Sequence, residues 1–111
     1  MIRVEIREGV ATITLARSEK RNALTPEMLD ELRAAFASLE AGVRAVLLRG
    51  EGPAFCAGFD LRLCAQDSTG DTMRRLLDGL SQTVRAMRSA EPPVVLAVHG
   101  AAVAGGRALL G

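Results

Sequence analysis

The chain has 111 residues, with 14 Lys and Arg against 13 Asp and Glu, a formal net charge of +1, 49% hydrophobic residues, 24% charged residues and no Trp or Tyr. A chain of this length makes one small domain at most. Near-neutral charge and 3% aromatic content exclude the basic, base-stacking surface of a nucleic-acid binder, and no apolar run is long enough to span a bilayer.

Residues 2–7 (IRVEIR) and 10–16 (VATITLA) alternate or are β-branched and flank Glu8-Gly9, which predicts two strands joined by a turn. After a charged connection over 17–24 (RSEKRNAL), Thr25 fits an N-cap, Pro26 the first helical position and Glu27 the favourable end of the dipole. Met28, Leu29, Leu32, Phe36 and Leu39 follow at helical spacing, and Gly42 suits the stop. Residues 43–49 (VRAVLLR) predict a strand covered on both faces, followed by a Gly/Pro-rich loop, GEGPAFCAGFDL. A second helix is predicted over 72–89, with Met73, Leu76, Leu77, Leu80, Val84 and Met87 on one face and Glu91-Pro92-Pro93 as its break. Residues 94–98 (VVLAV) predict a buried strand, and HGAAVAGGRALLG a glycine turn opening a helix. The order is β-β-α-β-loop-α-β-turn-helix, which argues an α/β fold. The last helix, Arg107–Gly111, is about one turn long, so the chain is expected to be a fragment of something longer.

Several side chains invite chemical readings. Cys56 and Cys64 have no Cys or His cluster around them, and MIRVEIREGV lacks a secretory apolar core. The expectation is reduced thiols in the cytoplasm. Cys56 without an evident base reads as a small buried residue rather than a nucleophile. His99, the sole histidine, argues against a metal site and reads as a turn residue or, less readily, a base. The cluster Arg17, Lys20 and Arg21 is either a solvated loop or a phosphate contact. A phosphate-loop reading of GAAVAGG fails because Arg107-Ala108 stands where Lys-Ser/Thr is needed. A dinucleotide fingerprint fails on spacing, and a serine-hydrolase elbow fails for want of serine.

Two glycine-rich segments, 54–61 (AFCAGFDL) and 99–106 (HGAAVAGG), each follow a predicted strand and can present backbone N–H groups outward. Together with KRNAL (20–24) and PVVLAV (93–98), they resemble, in order and spacing, the enoyl-CoA hydratase/isomerase (crotonase) family. The resemblance covers nearly the whole chain and implies a crotonase-like (ClpP/crotonase) ββα spiral, residues 1–111 being the N-terminal part of one domain, truncated before the C-terminal helical region. It implies binding of an acyl-CoA thioester and stabilisation of its enolate in a backbone oxyanion hole built from the N–H groups of Phe59 and Gly105. It places Ala23 and Ala57 against the adenine and Lys20 and Arg21 near phosphates. The resemblance makes Leu24, Gly58, Asp60, Leu61 and Gly106 further substrate-binding positions, Asp60 matching the family's loop aspartate, which looks structural. It implies hydration of a 2-enoyl-CoA or a double-bond shift, no cofactor beyond the CoA of the substrate, and a trimer or hexamer of the full-length chain.

The sequence departs from the family pattern at Ser18 (often Pro), at Ala104 (the first glycine of a triplet) and at Ala108. The last stands where hydratases carry a glutamate, and alanine transfers no proton. The alternative reading is therefore a non-catalytic acyl-CoA binder, or an inactive fragment that needs a partner or the missing half.

Overall fold

In the computed structural model, residues 1–98 are described. The expected turn over 99–106, the terminal helix, and with them His99, Ala104, Gly105, Gly106 and Ala108, lie outside the described residues. Strands β1 (Ile2–Arg7) and β2 (Val10–Leu15) pair antiparallel, with Ile2 opposite Leu15 and Arg7 opposite Val10. The reversal is made by Glu8 and Gly9, both at positive φ. Helix α1 (Pro26–Ala37) carries the chain to β3 (Ala45–Gly50), which lies parallel to β2, and α2 (Leu61–Gln66) and α3 (Asp71–Ser89) carry it to β4 (Val94–Ala97), parallel to β3. The sheet order is β1-β2-β3-β4.

One sheet face is dry. Ala11, Ile13 and Leu15 of β2 and Val46 and Leu48 of β3 alternate into the same core as Met28, Leu29, Leu32 and Phe36 of α1. Each fully buried large aliphatic side chain contributes roughly 1.5–3 kcal/mol by leaving water. Thr25 caps α1 as its residue type predicts: its Oγ1 accepts from the Met28 N–H at 3.0 Å. Helix α3 crosses α1 where Gly79 faces Leu29 and the Thr83 hydroxyl reaches the Leu29 carbonyl. Among the described residues no helix is long and apolar enough to cross a membrane.

Four expectations are corrected. Helix α1 stops at Ala37 rather than near Gly42: Ser38 makes the last helical bond, to the Ala34 carbonyl, and its hydroxyl reaches the carbonyls of Ala34 and Ala35 in the final turn. Residues 61–66, the end of the expected loop and a stretch given no element, form α2, whose first turn is capped by Asp60. On α3 the expected face holds at Leu76, Leu80, Val84 and Met87, which are in or against the core, but Gly79 and Thr83 are buried with Leu76 and Leu77 turns away, 54% exposed. Strand β3 alternates between buried and half-buried positions rather than being covered on both faces, and β4, expected to be buried, alternates between half-buried and exposed ones, with Val95 57% exposed.

Candidate functional site

Parallel pairing of β2 with β3, Leu15 opposite Gly50, brings the C-terminal ends of both strands to one edge of the sheet, where open α/β sheets place their ligands. The segments that leave those ends, 17–24 and 51–61, meet there through Asn22. This buried residue adopts a left-handed φ of 58°, a conformation asparagine tolerates better than most residues. Its Nδ2 lies 2.9 Å from the carbonyls of Glu51 and Ala54 and 3.1 Å from that of Phe55, and its Oδ1 accepts from the Arg17 N–H at 2.9 Å. One amide side chain thus satisfies backbone groups of both segments. The Cys56 thiol is buried and donates to the Asn22 carbonyl. Burial pushes its pKa up, against a smaller lowering by a Gly58 backbone hydrogen bond. It is therefore held as a thiol in a packing role.

The two segments then run side by side. The Ala57 N–H donates to the Arg21 carbonyl, the Leu24 N–H to the Gly58 carbonyl at 2.7 Å, and the Asp60 N–H to the Leu24 carbonyl at 2.9 Å. Leu24 and Phe59 form a parallel bridge. In that pattern the bracketed residue turns its own N–H and C=O away from the partner strand. No acceptor among the described residues takes the Phe59 N–H. The preceding residue, Gly58, holds φ at 93°, which a side chain would strain.

A cavity of about 450 Å³ opens between the segments and α2. Six of the residues expected at a site line it: Lys20, Ala23, Ala57, Phe59, Asp60 and Leu61. Arg21 is exposed and does not line it, Leu24 is fully buried beneath it, and Gly58 is buried beside the bridge. Wider hollows of about 600 Å³ on the outer face of α3 and about 550 Å³ beside Pro92 and Pro93 contain no residue of the 54–61 segment.

Within the cavity wall, Arg17 and Asp60 form an ion pair at 2.8 Å, with side chains only 14% and 12% exposed. The other Arg17 nitrogen donates to the Ala23 carbonyl at 2.8 Å. The Asp60 Oδ1 accepts from the N–H groups of Arg62 and Leu63 in the first turn of α2. Burial opposes the Asp60 charge, but the Arg17 bond and charge and the two N–H donors outweigh it and hold the pKa below the usual carboxylate range. Both carboxylate oxygens are committed, so Asp60 is a poor proton carrier.

Sequence reasoning missed Asn22 as the organiser of the two loops, and it grouped Arg17 with the solvated or phosphate-facing cations. The wall residues Arg62, Leu63 and Gln66 were missed because α2 was missed. Asp60 ahead of a short apolar-polar run was the available cue.

The family model for enoyl-CoA hydratase/isomerase matches residues 5–110. A probable enoyl-CoA hydratase of Rhodobacter capsulatus is 42% identical over 106 residues, which are 95% of this chain and 40% of that protein. The chain spans about two fifths of the length of the curated relatives it matches. Among solved structures, an enoyl-CoA hydratase/isomerase from Xanthobacter autotrophicus Py2 superposes with a TM-score of 0.87 at 42% identity over 97% of this chain and 42% of its own. An enoyl-CoA hydratase of Mycobacterium smegmatis superposes with a TM-score of 0.91 at 35% identity over 98% of this chain and 44% of its own.

Proposed function

This chain belongs to the enoyl-CoA hydratase/isomerase family, and from that premise we propose that it binds an acyl-CoA thioester with the thioester oxygen on the Phe59 amide. The observation that carries this reading is Phe59, a residue of the cavity wall whose backbone N–H has no acceptor among the described residues. Such a donor is fixed before the ligand arrives and costs no reorganisation when charge develops on the oxygen. Gly105 is proposed as the second donor. The Ala23 and Ala57 surfaces receive the adenine, and the Lys20 ammonium at the rim receives phosphate. Leu61, 67% exposed, lies where the pantetheine or acyl chain would pass. The substrate class is a 2-enoyl-CoA, with hydration or a double-bond shift as the reaction. Assembly of several copies belongs to the same proposal and is supported by the exposed apolar side chains Leu77, Val95 and Val98.

Polarising the carbonyl is half of hydration; moving the proton of water is the other half. Ala108 supplies no acid or base, and Asp60, the carboxylate on the cavity wall, is committed to Arg17 and α2. A second reading, thioester binding without turnover, is favoured by these two residues. Crotonyl-CoA hydration, followed at the thioester absorbance, and a binding isotherm for the same ligand separate the two. Phe59→Leu, which keeps the amide, should bind crotonyl-CoA as the parent does. Phe59→Pro, which deletes the N–H, should weaken binding and lower any turnover about 10²–10³-fold. Equal behaviour of the two variants would sink the assignment of Phe59.

A further inference from the structure

We infer that Arg17 is a positioning residue that holds the Phe59 amide in place through Asp60, an inference that rests on the thioester reading above. The guanidinium is a strap in the cavity wall: one nitrogen is bonded to the Ala23 carbonyl on the first segment, the other to Asp60 on the second, each at 2.8 Å. Asp60 is the residue after Phe59, and its own N–H closes the Leu24 bridge. Phe59 is therefore pinned on both sides, by Gly58 bonded to Leu24 before it and by the strapped Asp60 after it. Arg17 is itself held at the backbone, its N–H by the Asn22 Oδ1 and its carbonyl by the N–H groups of Lys20 and Asn22. The strap needs a planar fork with two directed donors; an ammonium would supply the charge without the second bond.

Charge gives Arg17 a second effect on the same amide. An unpaired, nearly buried carboxylate beside Phe59 would oppose negative charge growing on a thioester oxygen held there. Paired with Arg17, Asp60 offers little net field.

The test uses the full chain and the variants Arg17→Met, Arg17→Lys and Asp60→Asn, with two readouts. The first is hydrogen exchange of the Leu24 and Asp60 amides. The second is the carbonyl stretch of bound crotonyl-CoA, isotope-edited at the thioester carbon, which a merely structural role would not move. In Arg17→Met those two amides should exchange about tenfold faster while β2 and β3 amides keep their protection, and the stretch should return at least halfway to its free value. Asp60→Asn should raise the same exchange but disturb the stretch less, because the unpaired charge it leaves is the Arg17 cation, which does not oppose negative charge on the thioester oxygen. Arg17→Lys should fall between, and it carries the test with Asp60→Asn if Arg17→Met does not fold. Unchanged exchange and stretch, or exchange raised uniformly over the sheet, would overturn the inference. A parent chain that leaves the carbonyl stretch at its free value removes the thioester reading instead, and the exchange data still decide whether Arg17 fixes the Phe59 loop.

Discussion

Asp60 occupies a place where burial by itself would favour the protonated acid, yet the Arg17 fork and the first N–H groups of α2 keep it ionised to lower pH than an ordinary carboxylate. A carboxyl whose folded pKa lies below its unfolded value of about 3.9 stabilises the fold above that unfolded value, and the contribution is lost as pH falls through the folded pKa. Urea midpoints should accordingly fall as pH is lowered from about 5 to about 2. Asp60→Asn, which keeps an oxygen for the helix cap, should flatten part of that fall and cost about 1–3 kcal/mol near neutrality. A gap between parent and variant that stays constant over the same pH range would contradict this. Asp67 keeps its share in the variant: hydrogen bonds from Thr69 and Thr72 also lower its carboxyl. At this scale the sequence was partly legible. Thr25 and Pro26 named their own roles because capping is local. Asn22 and Arg17 did not, because their partners lie up to 43 residues away, at Asp60 for Arg17.

Where α3 crosses α1, the close approach depends on one missing side chain. A Cβ at Gly79 would sit 3.2 Å from Leu29 Cδ1 and 3.3 Å from its Cβ. Gly79→Leu should force the helices apart and lower stability by about 1–3 kcal/mol, read as an earlier denaturant midpoint with an unchanged slope; an unmoved midpoint would show that the crossing tolerates bulk. The same crossing explains one misplaced side chain. Helical periodicity in 72–89 puts Leu77 on the stripe with Leu76, Leu80 and Val84, and the approach of Gly79 and Thr83 to Leu29 leaves Leu77 outside it. Strands β1 and β2 were legible from alternation over six residues each. Helix α2 was not, since six residues show less than two turns of any period and its start is set by Asp60.

Over the whole molecule, the site exists because β2 and β3 run parallel and end together, so that residues 17–24 and 51–61 leave the sheet at the same edge. The alternation of strands and helices made that layout readable as a fold class. The way the two segments meet was not readable, because it is decided by a buried Asn22 amide bonded to carbonyls 29 to 33 residues away. The family match over residues 5–110 agrees with the layout, and the chemistry proposed for it comes down to one backbone N–H. The chain has three phenylalanines, so labelling Phe with ¹⁵N gives three amide signals, one inside α1 (Phe36), one in the loop after β3 (Phe55) and Phe59. Crotonyl-CoA should move the Phe59 signal downfield and leave Phe36 in place, and a thioether analogue that lacks the carbonyl should move Phe59 far less. A Phe59 signal that stays put at saturating thioester, or moves equally with both ligands, would contradict the account.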